Sequence, residues 1–298
     1  DLMAFDALRF TYDNKNFFNS LFEYLSYILY YLVIRLTKFV FYSIMNNRKI
    51  CKGKDIMPYY DIAGLRVKMN NCGGRSEKQA VPYLADNQSD DLEPDIDIFV
   101  DDKRVQTAMD QHPELSQGDW EYMLTGSDFY TALIKYDGIL LHSSCVVVDG
   151  IAYTFSADSG TGKSTHTQLW LKKFGDRAYI LNDDKPAIRL IGDTVYACGT
   201  PWSGKYDYST PAVVPLAGIC FLERSEDNWI RPADTNKAIF NIFNQTVRHL
   251  GEKRMNKLME NLNEILRRVP IYELGCNMSE EAVDCSYNAM KKELSDFE

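Results

Sequence analysis

The chain has 298 residues, of which 45% are hydrophobic, and a net charge of −9. This length suits one large domain or two smaller ones, and the composition is ordinary for a folded globular protein. An acidic chain without a basic stripe is poorly suited to bind nucleic acid, because such binding depends on neutralising phosphates. The seven cysteines show no C-x-x-C pair and no zinc spacing, which favours reduced thiols in a cytoplasmic protein.

The N-terminal segment 1–57 contains a very apolar and aromatic stretch at residues 17–45, interrupted by three charged residues. Its longest uncharged run has eleven residues, 24–34, whereas a membrane-spanning helix needs about twenty. We therefore predict an apolar helical extension that is buried or docked on a surface. Membrane association through residues 17–45 is a less favoured alternative, and a tail outside the native fold comes last.

Residues 58–136 form the next region. The stretches YYDIAGLRVKM and PDIDIFVDD alternate apolar and polar residues, as half-buried strands do. A polar run separates them. We predict a small mixed α+β lobe over residues 58–136, followed by a larger domain over residues 137–298.

The larger domain begins with two predicted strands, at residues 139–148 and 151–156, joined by an Asp149-Gly150 hairpin turn. The segment ADSGTGKS at 157–164 then places two glycines shortly before one lysine, and STHTQLWLKKF continues with apolar residues at helical spacing. The order of strand, glycine loop, lysine and helix is that of a phosphate-binding loop. The sequence differs from the pattern G-x-x-x-x-G-K-[ST] only at Ala157, which replaces the first glycine. The predicted nucleotide-binding residues are Asp158, Ser159, Gly160, Thr161, Gly162, Lys163, Ser164 and Thr165.

Lys163 is expected to contact the outer phosphates of ATP, and the Ser164 hydroxyl to bind Mg²⁺. A short apolar strand that ends in Asn182-Asp183-Asp184 would supply the carboxylates. Adjacent carboxylates are tolerated best where a cation or a proton relieves their repulsion. We favour Asp183 as general base and Asp184 as metal ligand, although these roles could be exchanged. The alternative is an acidic turn before a proline.

These segments together resemble the catalytic domain of HPr kinase/phosphorylase, which is related in fold to phosphoenolpyruvate carboxykinase. In that family a histidine lies on the strand before the loop, here His142. The family's loop reads G-[DE]-S-G-x-G-K-S, and the next strand ends in Asp-Asp. The resemblance covers residues 138–225, and it departs at Thr165, where the family usually has an acidic residue. HSSCVVVDG, NDDKPAI and GTPWSGK are similar to a divergent branch associated with peptide-modification systems.

The resemblance implies ATP- and Mg²⁺-dependent transfer of the γ-phosphate to a serine hydroxyl of a protein or peptide. It also makes a homo-oligomer possible. The implied catalytic residues are Asp183, Asp184, His142 and Lys163. His142 would orient the aspartates or contact the γ-phosphate, unless it is simply satisfied within a strand. His166 is either a further site residue or a residue of the helix surface.

Two other functions share the predicted nucleotide site. One is a non-catalytic nucleotide-binding module of a peptide-modification system. The other is carboxykinase-like phosphotransfer to a small organic acid. The intact Asp183-Asp184 pair favours catalysis, because a pure binding module needs at most one metal carboxylate.

A second candidate cluster lies in YACGTPWSGKYDYSTP, residues 196–211. Its glycines and prolines predict a rigid irregular loop, a setting that often carries binding groups. The predicted substrate-contacting residues are Trp202, Ser203, Gly204 and Lys205. The alternative is a packed turn with a buried tryptophan.

A core strand is predicted at 213–224, followed by three helices with apolar residues at three and four spacing. The predicted fold is thus α/β. A mixed sheet surrounds the phosphate-binding loop, with the small N-terminal lobe before it and helices at the C-terminal end.

Overall fold

The computed structural model describes residues 57–70, 74–89, 91–204, 206–247 and 250–297. The prediction for the N-terminal extension therefore lies outside the described residues, apart from Met57, and so does the prediction for Lys205. Among the helices that are described, none combines the length and the apolar character needed to cross a bilayer.

Residues 59–133 form a three-stranded sheet with helices. Strands β1 (Tyr59–Ile62) and β2 (Leu65–Met69) make an antiparallel hairpin, and β3 (Ile96–Ile98) pairs parallel to β2. The hairpin turn Ala63-Gly64 has two positive φ angles, 55° and 71°, as a tight two-residue turn requires. The helices are α1 (Gly74–Ala80), α2 (Asp102–Gln111) and α3 (Gln117–Leu133).

A nine-stranded mixed sheet dominates the rest of the described chain. Its strands are β4 (Gly138–Leu140), β5 (Ser143–Val148), β6 (Ile151–Ser156), β7 (Ala178–Asn182), β8 (Ala187–Ile191), β9 (Thr194–Cys198), β10 (Val213–Arg224), β11 (Trp229–Pro232) and β12 (Ile271–Cys276). The strand order is β4-β8-β9-β10-β6-β5-β7, and β12 pairs with both β10 and β11. Because β10 pairs parallel to β6 and β12 while the other pairs are antiparallel, the molecule has a mixed α/β fold.

The predicted single strand at 139–148 is wrong, because the structure divides it into β4 and β5. The break is at Leu141 and His142, whose N–H groups leave the ladder and bond to the carbonyls of Pro186 (3.4 Å) and Gln245 (2.8 Å). β4 pairs with β8, whereas β5 lies between β6 and β7. The predicted turn after β5 is confirmed, with φ of 51° at Asp149 and 80° at Gly150.

Four helices pack on the two faces of this sheet: α4 (Lys163–Phe174), α5 (Thr235–Asn244), α6 (Glu252–Arg268) and α7 (Glu280–Met290). Buried residues of α5 and α6 belong to one core cluster, and buried residues of α4 and α7 to the other. Along β5, Val147 belongs to the first cluster and Val146 and Val148 to the second. Burial on both faces explains why β5 is an unbroken apolar run in the sequence.

Three strands end at the same edge of the sheet. β10 is parallel to β6. β7 also runs in the direction of β6, because each of them pairs antiparallel to β5. The segments that follow β6, β7 and β10 therefore meet at one edge, where open α/β sheets bind their ligands.

Candidate functional site

The loop after β6 has a backbone that only glycine adopts readily. Gly160 has φ of 78° and Gly162 has φ of 125°, and both values lie in the left-handed region. The Gly162 carbonyl accepts the His166 N–H at 2.9 Å, which begins α4. The first N–H groups of a helix have no partner within the helix. The loop therefore leads directly into a group of free amide donors.

Most residues of this loop are accessible to a ligand. Exposed residues are Asp158, Ser159, Gly160 and Thr165, and half-buried ones are Thr161, Gly162 and Ser164.

Lys163 folds back over the loop instead of extending into solvent. It is 9% exposed, and its Nζ donates to the Ala157 carbonyl at 2.9 Å. Burial lowers the pKa of Lys163, whereas the charges of Asp184, Asp158 and Asp183, in decreasing order of effect, raise it. The lysine thus lies in the electrostatic field of both aspartates that follow β7.

Asp183 faces the loop and the strand next to its own. The Ser144 hydroxyl donates to Asp183 Oδ1 at 2.5 Å. Burial raises the pKa of Asp183, and Asp184 adds to this effect, while hydrogen bonds from Ser144 and Ser164 and the charge of Lys163 act against it. Ser164, in the first turn of α4, thus influences the pKa of this carboxylate.

Asp184 lies between two basic side chains. Lys185 Nζ contacts Oδ2, and His142 Nε2 lies 3.3 Å from Oδ1. Burial alone would raise the pKa of Asp184, but the His142 hydrogen bond and the Lys185 charge hold it at about 2. The Asn182 side chain fixes the turn by accepting the N–H groups of Asp184 at 2.9 Å and Lys185 at 2.7 Å.

His142 lies in the break between β4 and β5, and not on a strand as the resemblance implied. Its Nδ1 is 3.1 Å from Gln245 Oε1, and its backbone N–H bonds to the carbonyl of the same residue. The ring therefore bridges Asp184 and the residue after α5.

His166 is buried between α4 and α7, so a position on the helix surface is wrong. The Trp170 Nε1–H donates to His166 Nε2 at 3.1 Å, and the Ser286 hydroxyl lies 3.2 Å from the same nitrogen. Burial lowers the pKa of His166 to about 4. His166 is thus a neutral core residue.

Two side chains of the second predicted cluster are buried. Trp202 is 2% exposed and stacks on Phe129 with 4.8 Å between ring centroids. Ser203 is also buried. This burial favours the packed-turn alternative for both side chains.

Gly204 lies directly against Asp184. A Cβ placed on Gly204 would be 3.0 Å from Asp184 Cβ. The Gly204 N–H donates to the Tyr122 hydroxyl at 3.2 Å, and the Gln79 side chain donates to the Gly204 carbonyl at 3.0 Å. Helices α1 and α3 therefore hold the turn that packs against Asp184.

Three residues of the site were missed in the sequence. Ser144 gave no signal, because it appeared as one small residue in an apolar strand. Lys185 follows the aspartates directly but was not singled out. Arg224 ends β10 and donates from Nη2 to the Gly160 carbonyl at 2.6 Å. The sequence feature that could have identified Arg224 is its position at the end of a predicted core strand.

The oxygens of Ser164, Asp183 and Asp184 suit Mg²⁺ better than a transition metal. No group of three or more His, Cys, Asp or Glu side chains that could hold a metal occurs among the residues described. Mg²⁺ bound with a nucleotide typically uses one or two protein oxygens together with phosphates and water. The residues present therefore fit a metal that arrives with a nucleotide.

Comparisons with known proteins are weak. No family model and no curated protein matches the chain. Among solved structures, the HPr(Ser) kinase/phosphatase from Coxiella burnetii is similar over 50% of this chain and 95% of that chain, with 10% identity and a TM-score of 0.30. So distant a likeness carries no argument about function, which depends on the site itself.

Proposed function

We propose that the chain is an ATP- and Mg²⁺-dependent kinase that transfers the γ-phosphate to a serine hydroxyl of a protein or peptide. One observation carries this proposal. Lys163 follows a left-handed glycine loop after β6, and Asp183 and Asp184 follow β7 at the same edge of the sheet. Phosphoryl transfer requires phosphate binding, charge neutralisation and a proton acceptor, and this cluster offers groups for each.

Phosphate binding would use the loop and the start of α4. The free N–H groups of the first helical turn attract anions, and the Lys163 ammonium would move from the Ala157 carbonyl to the outer phosphates. Ser164 and Asp184 would hold Mg²⁺, which would neutralise charge on the transferred group. The pKa of about 2 keeps Asp184 ionised at neutral pH, as a metal ligand requires.

Proton acceptance would fall to Asp183. Its pKa is raised by burial, which makes it a better base than Asp184. The Ser144 bond to Oδ1 fixes the carboxylate, so that its other oxygen could accept the acceptor's proton. His142 would act as a positioning residue by holding Asp184 in place.

The test is phosphate transfer from γ-labelled ATP in the presence of Mg²⁺ and a pool of small proteins and peptides encoded near the gene. Label is expected on serine with the wild-type chain. Asp183→Asn should abolish the label while ATP binding persists, and Lys163→Ala should lower both. Lys172→Ala is the matched control, because Lys172 lies on the same helix and pairs with Glu280 on the surface.

Other outcomes would select other functions. Tight ATP binding without label or ATP loss would favour a nucleotide-binding module. Label on a small organic acid instead of a polypeptide would favour carboxykinase-like chemistry. Full activity of Asp183→Asn would contradict its role as base.

A further inference from the structure

Three consecutive exposed residues, Tyr206, Asp207 and Tyr208, lie in the loop that follows Gly204. Tyr206 is 61% exposed and Tyr208 is 49% exposed. Their rings are stacked, with centroids 6.2 Å apart and planes at 24°. Two tyrosines are thus displayed on either side of an exposed aspartate.

The backbone of this loop is held at its start by the two hydrogen bonds of Gly204 and at its end by two further bonds. The Asp183 N–H donates to the Tyr208 carbonyl at 3.1 Å, and the Thr210 N–H donates to the Leu181 carbonyl at 2.9 Å. Asp207 itself has φ of 56°, a left-handed conformation that aspartate and asparagine adopt more readily than other residues with a side chain. The fold therefore holds a turn that displays these side chains.

The chemistry of the three side chains suits a cation. Aromatic faces attract ammonium and guanidinium groups, and a neighbouring carboxylate can pair with the same group. The chain as a whole carries a net charge of −9, which also favours a basic partner. The backbone bond between Tyr208 and Asp183 places this turn beside the base of the proposed reaction.

We propose that Tyr206, Asp207 and Tyr208 bind a lysine or arginine side chain of the polypeptide acceptor. This inference rests on the proposed kinase function and specifies its substrate. Paired backbone segments lie about 5 Å apart, and an extended chain advances about 3.4 Å per residue. The basic residue is therefore expected within a few positions of the phosphorylated serine.

The test measures binding and transfer separately. Three fluorescein-labelled peptides of equal length would carry one central serine in an alanine background, flanked by lysines, glutamines or glutamates. Anisotropy would be measured with Mg²⁺ and a non-hydrolysable ATP analogue, and transfer with labelled ATP. The lysine peptide should bind about tenfold more tightly than the glutamine peptide, as a cation–π contact and an ion pair together would give. The glutamate peptide should bind weakest.

Two variants should remove this preference. Asp207→Asn keeps the size of the side chain and tolerates the left-handed backbone, and the double variant Tyr206→Ala with Tyr208→Ala removes both rings. Each should bind the lysine and glutamine peptides about equally, with ATP affinity unchanged. Phe99→Ala, which removes another exposed aromatic ring, should keep the preference.

The outcomes separate this inference from the kinase function. Equal binding of lysine and glutamine peptides, or no binding of either, would overturn the inference even if serine becomes labelled. A lysine preference that depends on Asp207 but produces no transfer would support the surface and contradict the kinase. A loss of ATP affinity in the tyrosine variant would assign the rings to the nucleotide and overturn the inference.

Discussion

Asp183 and Asp184 are adjacent residues with opposite pKa shifts. Burial raises the pKa of Asp183, and the hydrogen bonds from Ser144 and Ser164 and the charge of Lys163 do not offset it. Asp184 is also buried, but His142 and Lys185 hold its pKa at about 2. Ionising Asp183 therefore opposes folding at neutral pH, whereas ionising Asp184 favours it.

We expect the two asparagine variants to shift stability in opposite directions. Asp183→Asn should raise the free energy of unfolding at pH 7, because it removes a carboxylate that ionises less readily when folded. Asp184→Asn should lower it by on the order of 2 kcal/mol, given an unfolded pKa of about 3.9. Urea unfolding at pH 7 measures both changes.

The pH dependence provides the control. The contribution of Asp184 is complete above its unfolded pKa and is lost as the pH falls through about 2. The gap between wild type and Asp184→Asn should therefore narrow at acid pH. A gap that is constant with pH would show that the lost stability is not electrostatic.

Gly162 is a second residue whose substitution should affect the site. No atom of the described residues lies within 4 Å of a Cβ placed there, but φ is 125°. Gly162→Ala should thus create strain without a clash and lower ATP affinity by distorting the loop, with a stability cost of about 1 kcal/mol or more. Gly251→Ala is the matched control, because Gly251 also precedes a helix in open space but has φ of −68°. Calorimetric titration with Mg·ATP would contradict this prediction if both variants bind like wild type.

Among the helices, α3 acts on the turn at Gly204 through the Tyr122 hydroxyl. Its N-terminus is stabilised by a capping box, in which the Ser116 and Asp119 side chains satisfy each other's backbone N–H groups. One turn inside, Tyr122 accepts the Gly204 N–H, and burial raises its pKa to about 12. A firmly held helix thus positions the turn that packs on Asp184.

Tyr122→Phe should therefore lower kcat several-fold while leaving the affinity for ATP unchanged. The removed hydroxyl leaves the Gly204 N–H without this partner, at a cost of about 1 to 3 kcal/mol, and loosens the contact with Asp184. Steady-state kinetics with the labelled acceptor measure this. Tyr272→Phe, which removes a hydroxyl bonded to the Ala289 carbonyl, should retain full kcat. A Tyr122→Phe variant with the wild-type rate would show that the hydrogen bond between Gly204 and Tyr122 is not needed for activity.

Elements were predicted best where the sequence carries a strong local signal. The periodicity around Trp170 and the glycines before it predicted α4, and the apolar run at 213–224 coincides with β10. The break at His142 was missed because its cause is a bond to Gln245, 103 residues away. β11 and β12 were missed because each is short and pairs with a strand distant in sequence.

The candidate site was predictable only in part for the same reason. The residues of the loop are consecutive in the sequence, and so are the two aspartates, so that each set forms a short recognisable motif. The rest of the site depends on contacts between segments that are distant in sequence. These contacts are the bonds of Ser144 to Asp183, of Arg224 to Gly160, and of Tyr122 and Gln79 to Gly204. No local pattern distinguishes a buried Trp202 from an exposed one, so its burial required the packing of α3.

At the scale of the whole molecule, residues 58–136 and 137–298 share buried contacts. The Arg189 guanidinium donates to the Ala63 carbonyl at 2.6 Å, and the Tyr130 hydroxyl lies 2.9 Å from Thr200 Oγ1. The stacking of Trp202 on Phe129 adds an apolar contact. Loss of these contacts would leave buried polar and aromatic groups without partners.

We therefore expect residues 137–298 expressed alone to be much less stable than the full chain. Exposing Trp202 should resemble truncating a buried aromatic residue, which costs about 3 to 5 kcal/mol. Urea unfolding followed by tryptophan fluorescence measures this, and Trp202→Phe in both proteins would identify the contribution of that residue. Equal unfolding midpoints would instead show that the segment 137–298 is an independent domain.

The position of β5 has a consequence for how this fold can diverge. The proposed phosphate-binding loop follows β6 and the aspartates follow β7, and these strands lie on opposite sides of β5. Two strand spacings, about 9.6 Å in all, therefore set the distance between their backbones. Sheet spacing is nearly invariant, whereas loops gain and lose residues freely. Loops at this edge can thus change in length during evolution without altering the separation between the loop after β6 and the two aspartates.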